Sequence, residues 1–194
     1  ISLVFYRLEH SMSQNNIITV DHPLLEKLRQ LDLRTGDSGF LGDIGLYINH
    51  ENRPGRCEVS PSDAIVFAET GGDGDHFSLI AINGTVTESS PVVLTWPPEG
   101  ENIVVAPDLK TFLSVGLHCG YFNYLEVRNP KYQNQKEDWF ADDLVDEDKE
   151  KLRFLSRELN IAPMPPEAMN FEQLNDLYAH LFTNSDNKTG RFPE

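Results

Sequence analysis

Apolar residues change their spacing along this chain, and the change marks out its elements. Behind Asp21, His22 and Pro23, Leu24, Leu28 and Leu31 recur at helical spacing, which predicts an amphipathic first helix capped by Asp21. Glycines at 36, 39, 42 and 45 then interrupt regular structure. Leu46–Ile48 reads as a short strand, and Arg53, Pro54, Gly55 and Arg56 read as a turn. Ala64–Ala68 is an unbroken apolar run with β-branched and aromatic members, as in a strand buried on both faces, and His76–Ile82 reads as a second strand. Thr70 to Asp75, between them, carries three glycines and predicts a hairpin connection. Val92–Thr95 and Ile103–Val105 are two further strands, separated by a rigid loop of Trp96, Pro97, Pro98, Glu99 and Gly100.

Helical spacing returns after the strands. Pro107 and Asp108 open a helix with Leu109, Phe112, Leu113 and Gly116 on one face and Gly120 as its C-terminal cap. Asp146–Asp148 suit a helix N-terminus, where the dipole favours negative charge, and Leu152, Leu155 and Leu159 form its buried stripe. Pro163, Met164, Pro165 and Pro166 end that helix. Asn170 with Gln173 then makes a capping box for a last helix carrying Phe171, Leu174, Leu177 and Leu181, and the final residues read as frayed. Strands that do not alternate with helices predict an α+β class. The expectation is one α+β domain over 1–194. Its core, 1–130, is a mostly antiparallel sheet of about four to six strands flanked by helices. Residues 131–194 form an acidic linker and a C-terminal extension of two helices.

Composition narrows the function. The 194 residues are 39% hydrophobic, enough for one sizeable core. Lys and Arg total 16 against 31 Asp and Glu, a net charge of −15, and such a field repels nucleic acid and anionic membrane surfaces. It favours a basic protein partner or a cation, with solubility as the simpler reading of the acidity. No apolar run approaches the roughly 20 residues of a membrane helix. Cys57 and Cys119 are too few for a disulfide framework, and each reads as a small core residue in a reducing compartment, which makes a cytoplasmic location the expectation.

The densest chemistry lies in Phe67–Ile80, FAETGGDGDHFSLI. A phosphate cradle is disfavoured, because Asp73 and Asp75 would repel an anion and neither Lys nor Arg lies in the segment. Glu69, Asp73 and Asp75 could offer oxygens to Ca²⁺ or Mg²⁺, with His76 adding a nitrogen, but the calcium-loop pattern is missing. A structural turn with His76 hydrogen-bonded to a nearby carbonyl or carboxylate is the simpler reading. Acid–base chemistry would pair His76 or His118 with a carboxylate, yet no nucleophile signature completes it. Neither catalytic residues, metal nor cofactor is therefore assigned. Trp96 reads as a core cap or an interface anchor, and Tyr121, Phe122 and Tyr124 as helix packing or an exposed patch. The acidic run that includes Asp142, Asp143, Asp146 and Glu147 reads as a solvated face or a docking surface.

The turn and its surroundings resemble the SUKH superfamily, which joins fungal cell-wall synthesis regulators to bacterial immunity proteins. The resemblance is carried by Ala64–Ala68, Thr70–Gly74, His76 and Phe77, Pro91–Thr95 and the segment Asn102–Phe122, about a third of the chain. It implies a cofactor-free α+β domain that acts by binding, often to a toxin, nucleases among them. A non-enzymatic immunity-type protein follows as the functional expectation, with Glu69, Asp73, Asp75, His76, Trp96, Asp142, Asp143, Asp146 and Glu147 as candidate partner-binding residues. A metal-dependent hydrolase or metal-binding protein centred on the turn is the alternative, and a scaffold or regulator of the fungal type is the third reading.

Overall fold

The computed structural model describes residues 18–36, 39–55, 57–124, 144–181 and 188–189. Its strands are β1 Thr19–Val20, β2 Tyr47–Pro54, β3 Ala64–Glu69, β4 His76–Ile80, β5 Thr85–Val86, β6 Val92–Trp96, β7 Glu101–Ala106 and β8 Lys188–Thr189. The α-helices are α1 Pro23–Thr35, α2 Leu109–Cys119, α3 Asp146–Leu159 and α4 Phe171–Tyr178. The main sheet runs β2-β3-β4-β6-β7-β8; all neighbours are antiparallel except β8, which joins β7 in parallel. β1 and β5 form a separate parallel pair. The class is α+β, with two C-terminal helices. No helix among the described residues is long and apolar enough to cross a membrane.

Period-2 alternation sends the strand side chains to two different cores. Ile65, Phe67, Phe77, Leu79, Leu94, Ile103 and Val105 pack with the apolar stripes of α1, α2 and α3. A register shift between Val66 and Ala68 adds Ala68 to the same side as Phe67. On the opposite face Ala64, Ile80, Val93 and Val104 are covered by Leu174 of α4. The centre of the main core is aromatic: Phe112 lies 4.7 Å from both Phe77 and Tyr124, ring centre to ring centre. Tyr121 and Tyr124 are buried, and each hydroxyl donates to a carbonyl of α2, Leu113 and Phe112 respectively. Burial pushes both phenol pKa values up.

Several boundaries differ from the sequence expectation, each for a local reason. Asp21 does not cap α1, because its amide donates to Val86 O and ties the residue to the β1–β5 pair. His22 takes the cap position, its Nδ1 accepting from the Leu25 amide at 3.3 Å. Asp108 caps α2 as expected, accepting from Thr111 N at 2.7 Å, and Asn170 accepts from Gln173 N at 2.9 Å. Arg53 and Pro54 end β2 instead of forming a turn, and Trp96 ends β6 instead of opening a loop. Leu177 is 61% exposed, and Cys57 is exposed while Cys119 is buried. Within the stretch expected to fray, Lys188–Thr189 pairs with Glu101–Asn102.

Side chains take the place of further strands at two margins of the sheet. At β2 the register jumps between Ile48 and Arg53, and Arg29 of α1 holds the intervening segment. Its guanidinium donates to Asn49 O at 3.0 Å, Asn52 Oδ1 at 2.9 Å and Glu51 O at 3.4 Å. At β7 the Asn175 carboxamide both accepts from Val104 N at 2.8 Å and donates to Val104 O at 3.1 Å, as a neighbouring strand would. An unpaired edge invites association with another chain, and these contacts remove part of the invitation. Replacing Asn175→Asp puts a carboxylate oxygen against Val104 O; urea denaturation should show a loss of about 1–3 kcal/mol. An unchanged midpoint would mean that the carboxamide does not hold this edge.

His22 makes the fold sensitive to mild acid. Desolvation lowers its pKa, and the opposing charges of Glu88, Asp108 and Asp21 do not reverse the shift. As pH falls through the ordinary imidazole value of about 6.5, the unfolded chain takes up the proton first. Stability is therefore lost as pH falls from about 6.5 toward the depressed folded value. His22→Asn keeps a cap acceptor and removes this titration, so melting temperatures between neutrality and mild acid should fall less steeply than in the parent. Parallel curves for the two proteins would rule out His22 as the source.

Candidate functional site

The β3–β4 connection is a compact turn locked by its own backbone. Thr70 N donates to Asp75 O at 3.1 Å, Asp75 N to Gly72 O at 2.9 Å, and Gly72 N to Thr70 Oγ1 at 3.3 Å. Gly71 has φ 88°, a left-handed conformation, and a Cβ there would overlap the Tyr47 ring, so glycine is required twice over. Asp73 also has positive φ, at 42°, which Asp tolerates better than most residues. The turn leaves Asp73 exposed and Asp75 buried.

His76, at the start of β4, is wholly buried. Its Nδ1 lies 2.8 Å from Gly74 O; a carbonyl only accepts, so Nδ1 carries the proton. In the neutral ring Nε2, 2.9 Å from Ser60 Oγ, then accepts from the serine. Ser60 Oγ in turn accepts from Cys57 N at 3.1 Å, and Ser60 N donates to Cys57 O at 3.1 Å. The 57–63 segment is pinned a second time where Asn102 Nδ2 donates to Val59 O at 2.7 Å, while Thr95 Oγ1 donates to Asn102 Oδ1 at 2.7 Å. His76, Thr95 and Asn102 face the same side of the sheet by register and alternation, so a polar bracket straps the loop to it.

The Ser60–His76 distance is that of a nucleophile and its base. Both residues are nevertheless buried, and the serine oxygen is committed within its turn. Here the pair acts as a fastener. Both His76 nitrogens have protein partners, so a metal would have to displace one of them, and no group of three or more His, Cys, Asp or Glu among the described residues is arranged to hold a metal ion. Sequence reading missed Ser60 and Asn102. Asn102 was visible as a polar residue at the start of an apolar strand, but its meaning depends on strand pairing, and Ser60, in the loop ahead of β3, carried no signal of its own.

Strand register collects much of the predicted site at one end of the sheet. Glu69 pairs with His76 and with Tyr47, His76 pairs with Thr95, and Trp96 pairs with Glu101. Glu69, Asp73, Asp75, His76 and Trp96 therefore share this end, with Trp96 half-buried. Tyr47 and Phe122 are 41% and 49% exposed. Together with Thr70, Gly71, Gly72 and Asp75 they line a cleft of about 300 Å³, and a groove of about 850 Å³ continues past Tyr47 along β2 and Glu69. Between Arg56 and Lys110 the sequence contains neither Lys nor Arg.

The acidic N-terminus of α3 is linked to this region indirectly. Lys151 Nζ lies 2.6 Å from Asp43 and 2.9 Å from Glu147, and these hydrogen bonds raise its pKa. Asp43 belongs to the short 3-10 turn Gly42–Ile44, whose Gly42 touches the Tyr47 ring. Glu147 is thus partly neutralised, and Asp146 is exposed. Asp142 and Asp143 lie outside the described residues. Of the aromatic trio after α2, Phe122 alone reaches the surface.

Neither a protein-family model, a curated protein nor a solved structure matches the chain. The local bracket can be tested directly. Ser60→Ala leaves His76 Nε2 and Cys57 N without the shared hydroxyl, at a cost of about 1–3 kcal/mol in chemical denaturation. Limited proteolysis should cut the 57–63 segment faster; an unchanged digestion pattern would show that the hydroxyl does not hold the loop.

Proposed function

We propose that the protein acts by binding, without chemistry of its own, and that the acidic, aromatic end of its sheet docks a basic protein partner. The observation that carries this reading is the meeting of half-exposed Tyr47 and Phe122 with Glu69, Asp75 and the exposed Asp73 of the adjoining turn, beside a groove whose one arginine, Arg53, is paired with Glu51. Aromatic residues give contact area at low entropic cost, and unbalanced charge raises the rate of encounter with an oppositely charged surface. The SUKH resemblance narrows the partner to a toxin domain and the role to neutralisation. A nuclease toxin suits the charge, because the basic surface it offers to phosphates is also complementary to carboxylates. A cytoplasmic site of action is part of the same proposal.

The test is association with a basic toxin domain encoded beside this protein, followed over a range of salt concentrations. Association should slow as salt rises, and the double variant Glu69→Lys, Asp73→Lys should slow it on the order of tenfold at low salt. Binding indifferent to both salt and charge reversal would defeat the proposal.

A further inference from the structure

We infer that the outward face of α3 pairs with the same face of a second copy of this chain, the two helices running antiparallel. Helical periodicity puts Glu147, Glu150, Arg153, Phe154 and Arg157 opposite the buried stripe of Leu152, Leu155 and Leu159. Phe154 is the anomaly on that face. It is an aromatic ring among charges, half-buried against Phe40, whose ring meets it edge-on with centres 5.4 Å apart. The two rings floor a hollow of about 550 Å³ rimmed by Asp43, Glu147, Glu150, Lys151, Arg153 and Arg157. An aromatic centre inside a charged rim matches the anatomy of protein interfaces.

The order of the charges decides what covers this hollow. Lys151 is held by Asp43 and Glu147, at 2.6 and 2.9 Å. Glu150, Arg153 and Arg157 are exposed and have no ion-pair partner among the described residues; the Arg157 guanidinium rests over the Phe154 ring, 5.7 Å from its centre. The face is thus acidic along the first half of α3 and basic along the second. A ligand of one sign would be repelled at one end, whereas a reversed copy of the same helix meets opposite charge at both. A two-fold axis beside Leu152 sets Glu150 opposite Arg153 of the other copy and Glu147, 76% exposed, opposite its Arg157, and symmetry repeats each contact. The arginines that cross can stack on the rings while their N–H forks meet the carboxylates. One helix face is smaller than the roughly 800 Å² per partner of a standard interface, and each chain carries a net charge of −15, so the dimer is weak and depends on concentration.

The experiment is sedimentation of the full chain from about 10 μM to about 1 mM, where a reversible equilibrium between monomer and dimer is expected. Two charge variants test the pairing. Glu147→Arg with Glu150→Arg makes the α3 face basic throughout, and Arg153→Glu with Arg157→Glu makes it acidic throughout. All four side chains are exposed, and Lys151 keeps Asp43 in both variants. Each variant alone should self-associate on the order of tenfold more weakly than the parent. Their equimolar mixture should associate at least as tightly as the parent, although both variants remain net acidic and global charge does not draw them together. A parent that stays monomeric over the whole range overturns the inference, whatever the mixture does. A parent dimer that neither variant weakens places the interface elsewhere and overturns it too, as does a mixture that associates no more tightly than its components. The docking of a basic partner at the sheet end stands or falls separately, because it uses none of these residues.

Discussion

Burying the imidazole of His76 requires partners for both ring nitrogens, and the two it finds belong to different parts of the chain. Gly74 O comes from the β3–β4 turn, and Ser60 Oγ from the segment ahead of β3. One ring therefore fixes the turn and the loop with respect to each other. The carboxylates of the turn inherit their positions from this arrangement, as does the wall of the cleft beside Tyr47. Removing His76 would reach well beyond one hydrogen bond, because the face of the sheet beneath the loop also carries Thr95 and Asn102, whose partners lie within the same bracket.

Much of the fold was legible because local signals agreed with one another. Asp108 precedes an apolar stripe, Gly120 follows it, and both serve as caps of α2. The run Ala64–Ala68 announced burial on two faces, and both faces are covered. Contacts that depend on tertiary structure escaped the reading. Asp21 has the better cap chemistry, yet its backbone is drawn into the β1–β5 pair and the cap passes to His22. β2 outruns its apolar core because Arg29, far away in sequence, holds its irregular segment.

The candidate site was legible in part for the same reason. Glu69, Asp73, Asp75 and His76 sit close in sequence, so a hairpin brings them together whatever else the chain does. Trp96 joins them through the pairing of β4 with β6, and Tyr47 through β2 with β3. Tyr47 stood out in neither spacing nor composition. Its importance comes from glycines on either side, one in the 3-10 turn and one in the hairpin. The difference between Asp73 and Asp75 likewise belongs to the turn geometry, which exposes one carboxylate and buries the other.

The seat of Tyr47 between Gly42 and Gly71 has a consequence for how this protein can change over evolutionary time. A larger residue at either glycine would meet the ring, and a smaller residue at 47 would leave space beside both. The three positions form one unit of inheritance, although one lies 24 residues beyond another along the chain, at 71 and 47. Divergent descendants that keep this end of the sheet should retain all three or exchange them together, whereas the solvent-facing Asp73 beside them can drift with the charge of whatever it meets.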